Sequence, residues 1–278
     1  MKIDIFDVGH GACSAISEPT GKRIMLDCGH RSDEPYWWPS IHFRGERCEA
    51  LILSNLDEDH VSDFGNVWDS VPLGTIWVNP TLSAPRLKMM KTDGMDSGVA
   101  AVHRYLCNPV GINLSFNFAA SVTFFYNSSS SFTDTNNLSL VTFVEYAGFS
   151  IIYPGDLEVA GWKALLQLPN FRSHLGRVKV FMTSHHGREN GCCEDVFAFC
   201  RPDVFVISDK EKQHGTQETT DWYKNHAKGI PRQRSSIYEP LDTRYVFTTR
   251  SDGCITIDVN TVGGYLLTYA SASQSARN

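Results

Sequence analysis

Ala50-Leu51-Ile52-Leu53-Ser54-Asn55-Leu56-Asp57-Glu58-Asp59-His60 is the stretch on which the reading of this chain turns. Four apolar residues read as a buried strand, and a polar loop follows at once. Asn55, Asp57 and Asp59 alternate along that loop, with His60 directly after the last. All four side chains can ligate a metal. A short loop at a strand end can aim them at one point, as a metal requires, because each donor must come within about 2.0–2.2 Å of it. Taken alone, the loop is read equally well as a solvated acidic turn.

Three other strand ends tip that balance. Tyr153-Pro154-Gly155-Asp156 places a carboxylate after an apolar strand. Thr183-Ser184-His185-His186-Gly187 places two histidines after Val178–Met182, and Gln213-His214-Gly215 follows Val204–Ser208. A lone histidine is more often a satisfied structural residue than a ligand. Four strand ends that each terminate in Asp or His are hard to attribute to packing, and strand-end loops are where α/β folds build their sites.

Outward from these loops, further short Val/Ile/Phe/Tyr-rich segments predict strands at Lys2–Phe6, Ala12–Ser17, Arg23–Asp27, Gly74–Val78, Ser121–Tyr126, Leu138–Tyr146, Phe149–Pro154, Tyr245–Thr249 and Gly253–Val259. Tyr146-Ala147-Gly148-Phe149 predicts a hairpin turn. Helical patterns fall at Met95–Leu106, with Ser97 as cap, and at Val159–Gln167, Cys193–Phe199 and Glu218–His226. Strands and helices mix along the whole length, which predicts an α/β fold with two sheets or one very large one. Asn127–Asn137 reads as a loop and Ser271–Asn278 as a frayed tail. His30–Glu49, with Tyr36-Trp37-Trp38-Pro39, and Thr81–Asn117 look inserted, as packing decoration rather than as a lid or partner surface.

Composition narrows the function. At 278 residues, with 42% hydrophobic and 20% charged, the chain is an ordinary globular protein and not a disordered or coiled-coil one. A formal charge of −6 argues against a dedicated clamp for duplex nucleic acid, yet leaves room for a nuclease whose metal supplies local positive charge. No apolar run approaches the ~20 residues of a membrane span. Aspartates interrupt the apolar residues of the N-terminus, so it is no signal peptide. The eight cysteines show no C-x-x-C pair and read as reduced thiols, so the expectation is a cytoplasmic, free-standing protein.

In order, the motifs resemble those of the metallo-β-lactamase superfamily, and most of all the hydrolase domain at the C-terminus of the bacterial DNA-uptake channel protein ComEC. An Asp-Val-Gly-x-Gly turn stands at Asp7-Val8-Gly9-His10-Gly11, and an Asp-x-Gly strand end at Asp27-Cys28-Gly29. The metal loop His-x-Asp-x-Asp-His stands at Asn55–His60 with Asn for the first His. Asn137-Leu138-Ser139-Leu140-Val141, Gly155-Asp156, His185-His186-Gly187, His214 and a final Ser251-Asp252-Gly253 complete the set. The match covers residues 1 to about 259.

The resemblance implies a four-layer αββα sandwich with one hydrolase domain over residues 1–262, insertions at about 30–49 and 81–117, and a C-terminal strand and tail over 263–278. It implies one or two divalent metal ions (Mn²⁺, Zn²⁺ or Mg²⁺) held by Asn55, Asp57, Asp59, His60, Asp156 and His185, with His185 preferred to His186 as the residue nearer the strand end. Asp27, His186, Asn137 and Ser139 would support those ligands. Asp59, His214 and Arg188 would be catalytic: Asp59 to orient the nucleophile, His214 on the leaving group, Arg188 to grip a phosphate. Asn55 is a weaker donor than imidazole and makes that end of the loop oxygen-rich, which favours Mn²⁺ or Mg²⁺ over Zn²⁺.

The function implied is a phosphodiesterase or nuclease that cleaves nucleic acid with metal-activated hydroxide. A small-molecule hydrolase acting on a cyclic nucleotide, ester or lactone is the second reading. A degenerate scaffold that binds a protein partner through Trp37 and Trp38 is the third. No reading places the chain in a membrane. A basic path leading to the metal edge, drawn from Arg86, Lys88, Lys91, Arg172, Arg177, Arg188, Arg232 and Arg234, would favour the polymer.

Overall fold

The computed structural model describes residues 1–109, 117–210, 215, 218–231 and 242–269. Two sheets form the centre. The first has seven strands, β1 (Lys2–Ile5), β2 (Ser14–Ser17), β3 (Arg23–Leu26), β4 (Ala50–Ile52), β5 (Ile76–Trp77), β14 (Ile255–Val259) and β15 (Tyr265–Tyr269), in the order β15-β14-β1-β2-β3-β4-β5. The second has six, β6 (Ser121–Phe125), β7 (Val141–Tyr146), β8 (Phe149–Tyr153), β9 (Val180–Met182), β10 (Val204–Ile207) and β13 (Val246–Thr248), in the order β13-β10-β9-β8-β7-β6. Two short strands, β11 (Ile230–Pro231) and β12 (Thr243–Arg244), pair beside them.

Three apolar clusters define four layers. Ile3, Ile24, Ile52, Val144, Ile151 and Val206 meet between the two sheets. On the far face of the first sheet, Met25, Leu51 and Leu53 pack against Phe64 and Val67 of the helix Phe64–Ser70 and Val99 and Val102 of the helix Ser97–Cys107. On the far face of the second, Phe143, Ile152 and Phe205 pack against Trp162, Phe171 and Tyr223. The fold is the four-layer αββα sandwich expected. Both faces of each sheet are covered, which explains why strands such as Ala50–Leu53 are apolar throughout rather than alternating. Ala50 and Ile52 point inward, Leu51 and Leu53 outward.

Strand direction gathers the motif loops. β3 runs parallel to β4, and β8, β9 and β10 run parallel to one another. The loops after β3 and β4 therefore leave one sheet side by side, and those after β8, β9 and β10 leave the other.

Some local expectations change. Cys193–Phe199 holds a 3₁₀ turn, Glu194–Ala198, rather than an α-helix. The helix over 95–106 starts after Asp96 and runs Ser97–Cys107. Its N-terminus is fixed from the metal loop: the Gly98 and Val99 amides donate to the two Glu58 carboxylate oxygens at 2.9 and 3.0 Å. A carboxylate there satisfies orphan donors and faces the positive end of the helix. The Trp-rich insert packs back on the first sheet, with Trp37 stacked on Phe6 at 4.4 Å and His30 on Trp38 at 3.7 Å. Among the described residues no helix is long and apolar enough to cross a membrane.

Candidate metal centre

The loop after β4 is threaded between two glycines. A Cβ on Gly11 would lie 2.5 Å from the Asp59 carbonyl oxygen, and one on Gly29 2.2 Å from it. The Ala12 amide donates to that carbonyl, and the Cys28 amide to the His60 carbonyl at 2.8 Å. The two glycine-containing motifs thus act as a slot for the backbone that carries Asp59 and His60. Only glycine leaves room for it.

Four side chains meet above this slot. Asp59, His60, Asp156 and His186 each offer a donor atom, and these atoms lie within 4.8 Å of one another. His60, Asp156 and His186 are buried, whereas the Asp59 side chain keeps 22% of its exposure, so the cluster opens to solvent on the Asp59 side. Both imidazoles are locked. His60 Nδ1 donates to Asp27 Oδ2 at 2.9 Å, which turns Nε2 to Asp156 Oδ1 at 3.0 Å. His186 Nδ1 donates to the Ser208 carbonyl at 2.8 Å, since a carbonyl only accepts. Its Nε2 sits 3.1 Å from Asp59 Oδ2 and 3.6 Å from Asp156 Oδ1. Burial pushes this ring down, but Asp156 and Asp59 outweigh it and hold the imidazole above its ordinary value.

Asp27 is itself held, accepting from the Ser54 amide at 2.6 Å and hydroxyl at 2.5 Å. The Asp156 amide donates to buried Ser139 Oγ at 3.0 Å. Three non-glycine residues here have positive φ: Asp27 at 60°, His185 at 50° and His186 at 52°. Such backbone costs about 1–3 kcal/mol per residue and persists where surrounding contacts over-determine it.

The charges are mutually dependent. Burial pushes the Asp59 carboxyl up, but the imidazoles of His186, His60 and His10 outweigh it and hold the group well below the usual carboxylate range. Burial pushes His60 down, but Asp156 and Asp27 outweigh it and hold the imidazole well above its ordinary value. Two carboxylates and two inward-facing imidazole nitrogens in a buried space are stable together when a cation stands among them. A metal ion would take the place of the proton between His186 Nε2 and these carboxylates, which the donor set fits.

The other sequence-predicted residues are placed differently. The cluster takes in His186, whose Nδ1 the Ser208 carbonyl holds, and not His185, whose Nε2 stands 3.8 Å from Asp156 Oδ2 and Nδ1 3.7 Å from Glu158 Oε1. Asn55 is bound within the chain: its Oδ1 accepts from the Leu56 and Asp57 amides, and its Nδ2 donates to Asn136 Oδ1 at 3.1 Å. Asp57 is not in the cluster, and Lys91 Nζ and Thr135 Oγ1 both donate to its Oδ1. The oxygen-rich position that favoured Mn²⁺ or Mg²⁺ is therefore occupied by contacts within the chain. Asn137 anchors the helix Val159–Leu165, accepting from the Gly161 amide at 2.7 Å. Arg188 Nη2 lies 3.4 Å from His10 Nε2. His214 lies outside the described residues.

His10 is a site residue that sequence reasoning passed over. It is the variable position of Asp-Val-Gly-x-Gly, and its Nε2 lies 3.3 Å from Asp59 Oδ2 with its ring 4.8 Å from that of His186. Burial, then the charges of His186 and Arg188, push its pKa down to about 4. The usable signal was a histidine flanked by glycines in the turn that receives the metal loop.

The four-layer fold and the cluster of Asp59, His60, Asp156 and His186 at its strand ends agree with the resemblance to the metallo-β-lactamase superfamily, and to the ComEC-type domain, that runs through the ordered motifs. ComE operon protein 3 of Bacillus subtilis (strain 168) is 22% identical over 287 residues, covering 89% of this chain and 36% of that protein. The chain thus spans about a third of that relative's length. No family model matches. Two solved structures are similar at low scores: CmlA, a diiron beta-hydroxylase from Streptomyces venezuelae, at TM-score 0.48 and 11% identity over 81% of this chain and 50% of that one, and Zn²⁺-bound PqqB from Methylobacterium extorquens, at 0.37 and 14% over 66% and 72%.

Proposed function

We propose that this chain is a metal-dependent phosphodiesterase, and specifically a nuclease. One observation carries the reading: two imidazoles, locked by Asp27 and by the Ser208 carbonyl, turn their Nε2 atoms toward the carboxylates of Asp59 and Asp156. Two nitrogens and two carboxylate oxygens suit Zn²⁺ or Mn²⁺ better than Mg²⁺, which seeks an all-oxygen shell. When bound, the ion lowers the pKa of water and polarises a phosphoryl oxygen.

The chain's own residues do the rest. Asp59 has the most exposed carboxylate of the cluster and orients the attacking water. Neutral His10 stands beside it, and Arg188 beyond His10 offers a planar fork to phosphate oxygens. Asp27 and Ser139 keep the ligands in register. His214 is assigned to the leaving group on its place in the motif order alone.

The test is hydrolysis with Mn²⁺, Zn²⁺ and Mg²⁺ supplied separately. The substrates are linear, circular and single-stranded DNA and bis-p-nitrophenyl phosphate, with Asp59→Ala/His60→Ala as control. Metal-dependent DNA cleavage that the control lacks is expected. Cleavage of the small diester alone would replace the nuclease by a small-molecule hydrolase, and no cleavage of either would favour the protein-binding scaffold.

A further inference from the structure

Beside the metal loop, the second insertion carries a feature that the proposed chemistry does not use. The helix Ala84–Met90 and the helix Ser97–Cys107 frame an open cleft of about 520 Å³. Lys88, Lys91, His103 and Arg104 line it, and none of its lining residues is a carboxylate. Asp93 and Asp96 lie exposed in the loop between the two helices but do not line the cleft, so its walls present cations to a ligand. Lys88 and Arg104 are exposed, and neither is drawn into an ion pair among the described residues. Lys91 is the exception, and its partner is informative: Nζ reaches Asp57, two residues before Asp59 in the metal loop. The cleft is thus tied to the loop that carries the metal ligands.

Of the other basic residues that sequence offered for such a path, Arg188 stands at the metal edge beside His10, and three are committed elsewhere. Arg86 donates to the Ser129 and Phe132 carbonyls, Arg172 to the Leu166 carbonyl, and Arg177 to Glu145. Arg232 and Arg234 lie outside the described residues.

We infer that this cleft is a track for the phosphodiester backbone of a single nucleic-acid strand, leading it to the metal loop with Lys91 at the junction. This rests on the phosphodiesterase reading and names its substrate class. The lining holds cations but no Phe, Tyr or Trp, so it grips phosphates rather than stacking bases, and binding is indifferent to sequence. A cluster of this size is a groove for one strand. It is too small to be the extended basic stripe that duplex binders carry.

The test uses the metal-loaded full chain and a fluorescein-labelled phosphorothioate single strand of about 20 nucleotides, which resists hydrolysis and spans the ~4–16 nucleotides of typical single-strand sites. Binding is read by anisotropy across a salt series. Lys88→Glu/Arg104→Glu is expected to weaken binding at least tenfold. Lys88→Gln/Arg104→Gln is expected to lower the slope of log K against log salt by about 1.4, at roughly 0.7 for each phosphate no longer neutralised. Lys163→Glu/Arg201→Glu makes the same change in net charge outside the cleft and is expected to bind almost as the parent does. Melting temperature and metal content report that each variant is folded. Parental affinity in both cleft variants would overturn the track, and so would equal weakening in the Lys163/Arg201 control, which would make the effect one of bulk charge. Failure of the phosphodiesterase reading shows separately, as a parent chain that leaves bis-p-nitrophenyl phosphate intact while the binding series still reads the cleft.

Discussion

The two ends of one six-residue loop have opposite fates. At the Asp59–His60 end, side chains converge on Asp156 and His186, and everything behind them holds donor atoms inward: Asp27, the Ser208 carbonyl and the glycine slot. At the Asn55–Asp57 end, the same kinds of donor are satisfied within the chain, Asn55 by backbone amides and Asn136, Asp57 by Lys91 and Thr135. The difference shows that a ligand is defined less by its residue type than by what already uses its lone pairs. Asp57 has Oδ1 taken by an ammonium and a hydroxyl. A carboxylate that faces an imidazole nitrogen can exchange the proton between them for a metal.

The sharpest way to break this comparison is to remove a ligand from the working end. His60→Ala or Asp156→Ala should weaken metal binding by more than about 100-fold and abolish hydrolysis, since loss of a mere supporting residue already costs about 10–100-fold. Isothermal titration with Zn²⁺ and Mn²⁺ reads the first effect. Asp57→Ala, at the other end, should leave metal affinity within about threefold of the parent.

Next in size is the support behind His60. Asp27→Asn offers the ring an amide in place of a carboxylate, and metal affinity should drop about 10–100-fold with the ligands themselves intact. Asp27→Asn behaving like the parent would mean that His60 is oriented by something else.

Metal addition then compares the two ends through stability. Metal at 100 times its Kd should stabilise the chain by about 2.7 kcal/mol. For a domain of this size that is several degrees in melting temperature, at about 2–4 °C per kcal/mol. The shift should survive in Asp57→Ala and vanish in His60→Ala, as differential scanning fluorimetry with and without chelator would show.

The smallest effect belongs to Asn55. Asn55→Ala strips the buried Leu56 amide of its acceptor and should cost about 1–3 kcal/mol of stability, measurable by urea unfolding, with metal stoichiometry unchanged. Loss of metal in this variant would return Asn55 to the ligand set.

The layering was legible because apolar strands and strand-end polar residues are local signals, and Ala50–His60 shows both in eleven residues. Asp59, His60 and Asp156 could be singled out because each ends a strand. The order of the two adjacent histidines could not be read. It depends on the Ser208 carbonyl, 22 residues further along, and on three successive positive-φ residues, His185, His186 and Gly187, that turn neighbouring side chains in different directions. The fate of Asp57 was equally hidden, because Lys91 arrives from an insertion with no motif of its own. His10 was masked as the variable residue between two glycines. Short helices such as Glu58–Val61, Phe64–Ser70 and Pro169–Leu175 escaped notice because four to seven residues carry too little periodicity.

The measurement that bears most directly on the account is the number of metal ions per chain, by elemental analysis after dialysis at saturating Zn²⁺ or Mn²⁺, for the parent, Asp57→Ala and Asp59→Ala. The account predicts one ion in the parent, one in Asp57→Ala and less than a tenth of that in Asp59→Ala. Two ions in the parent, falling to one in Asp57→Ala, would contradict it and show that both ends of the loop hold metal.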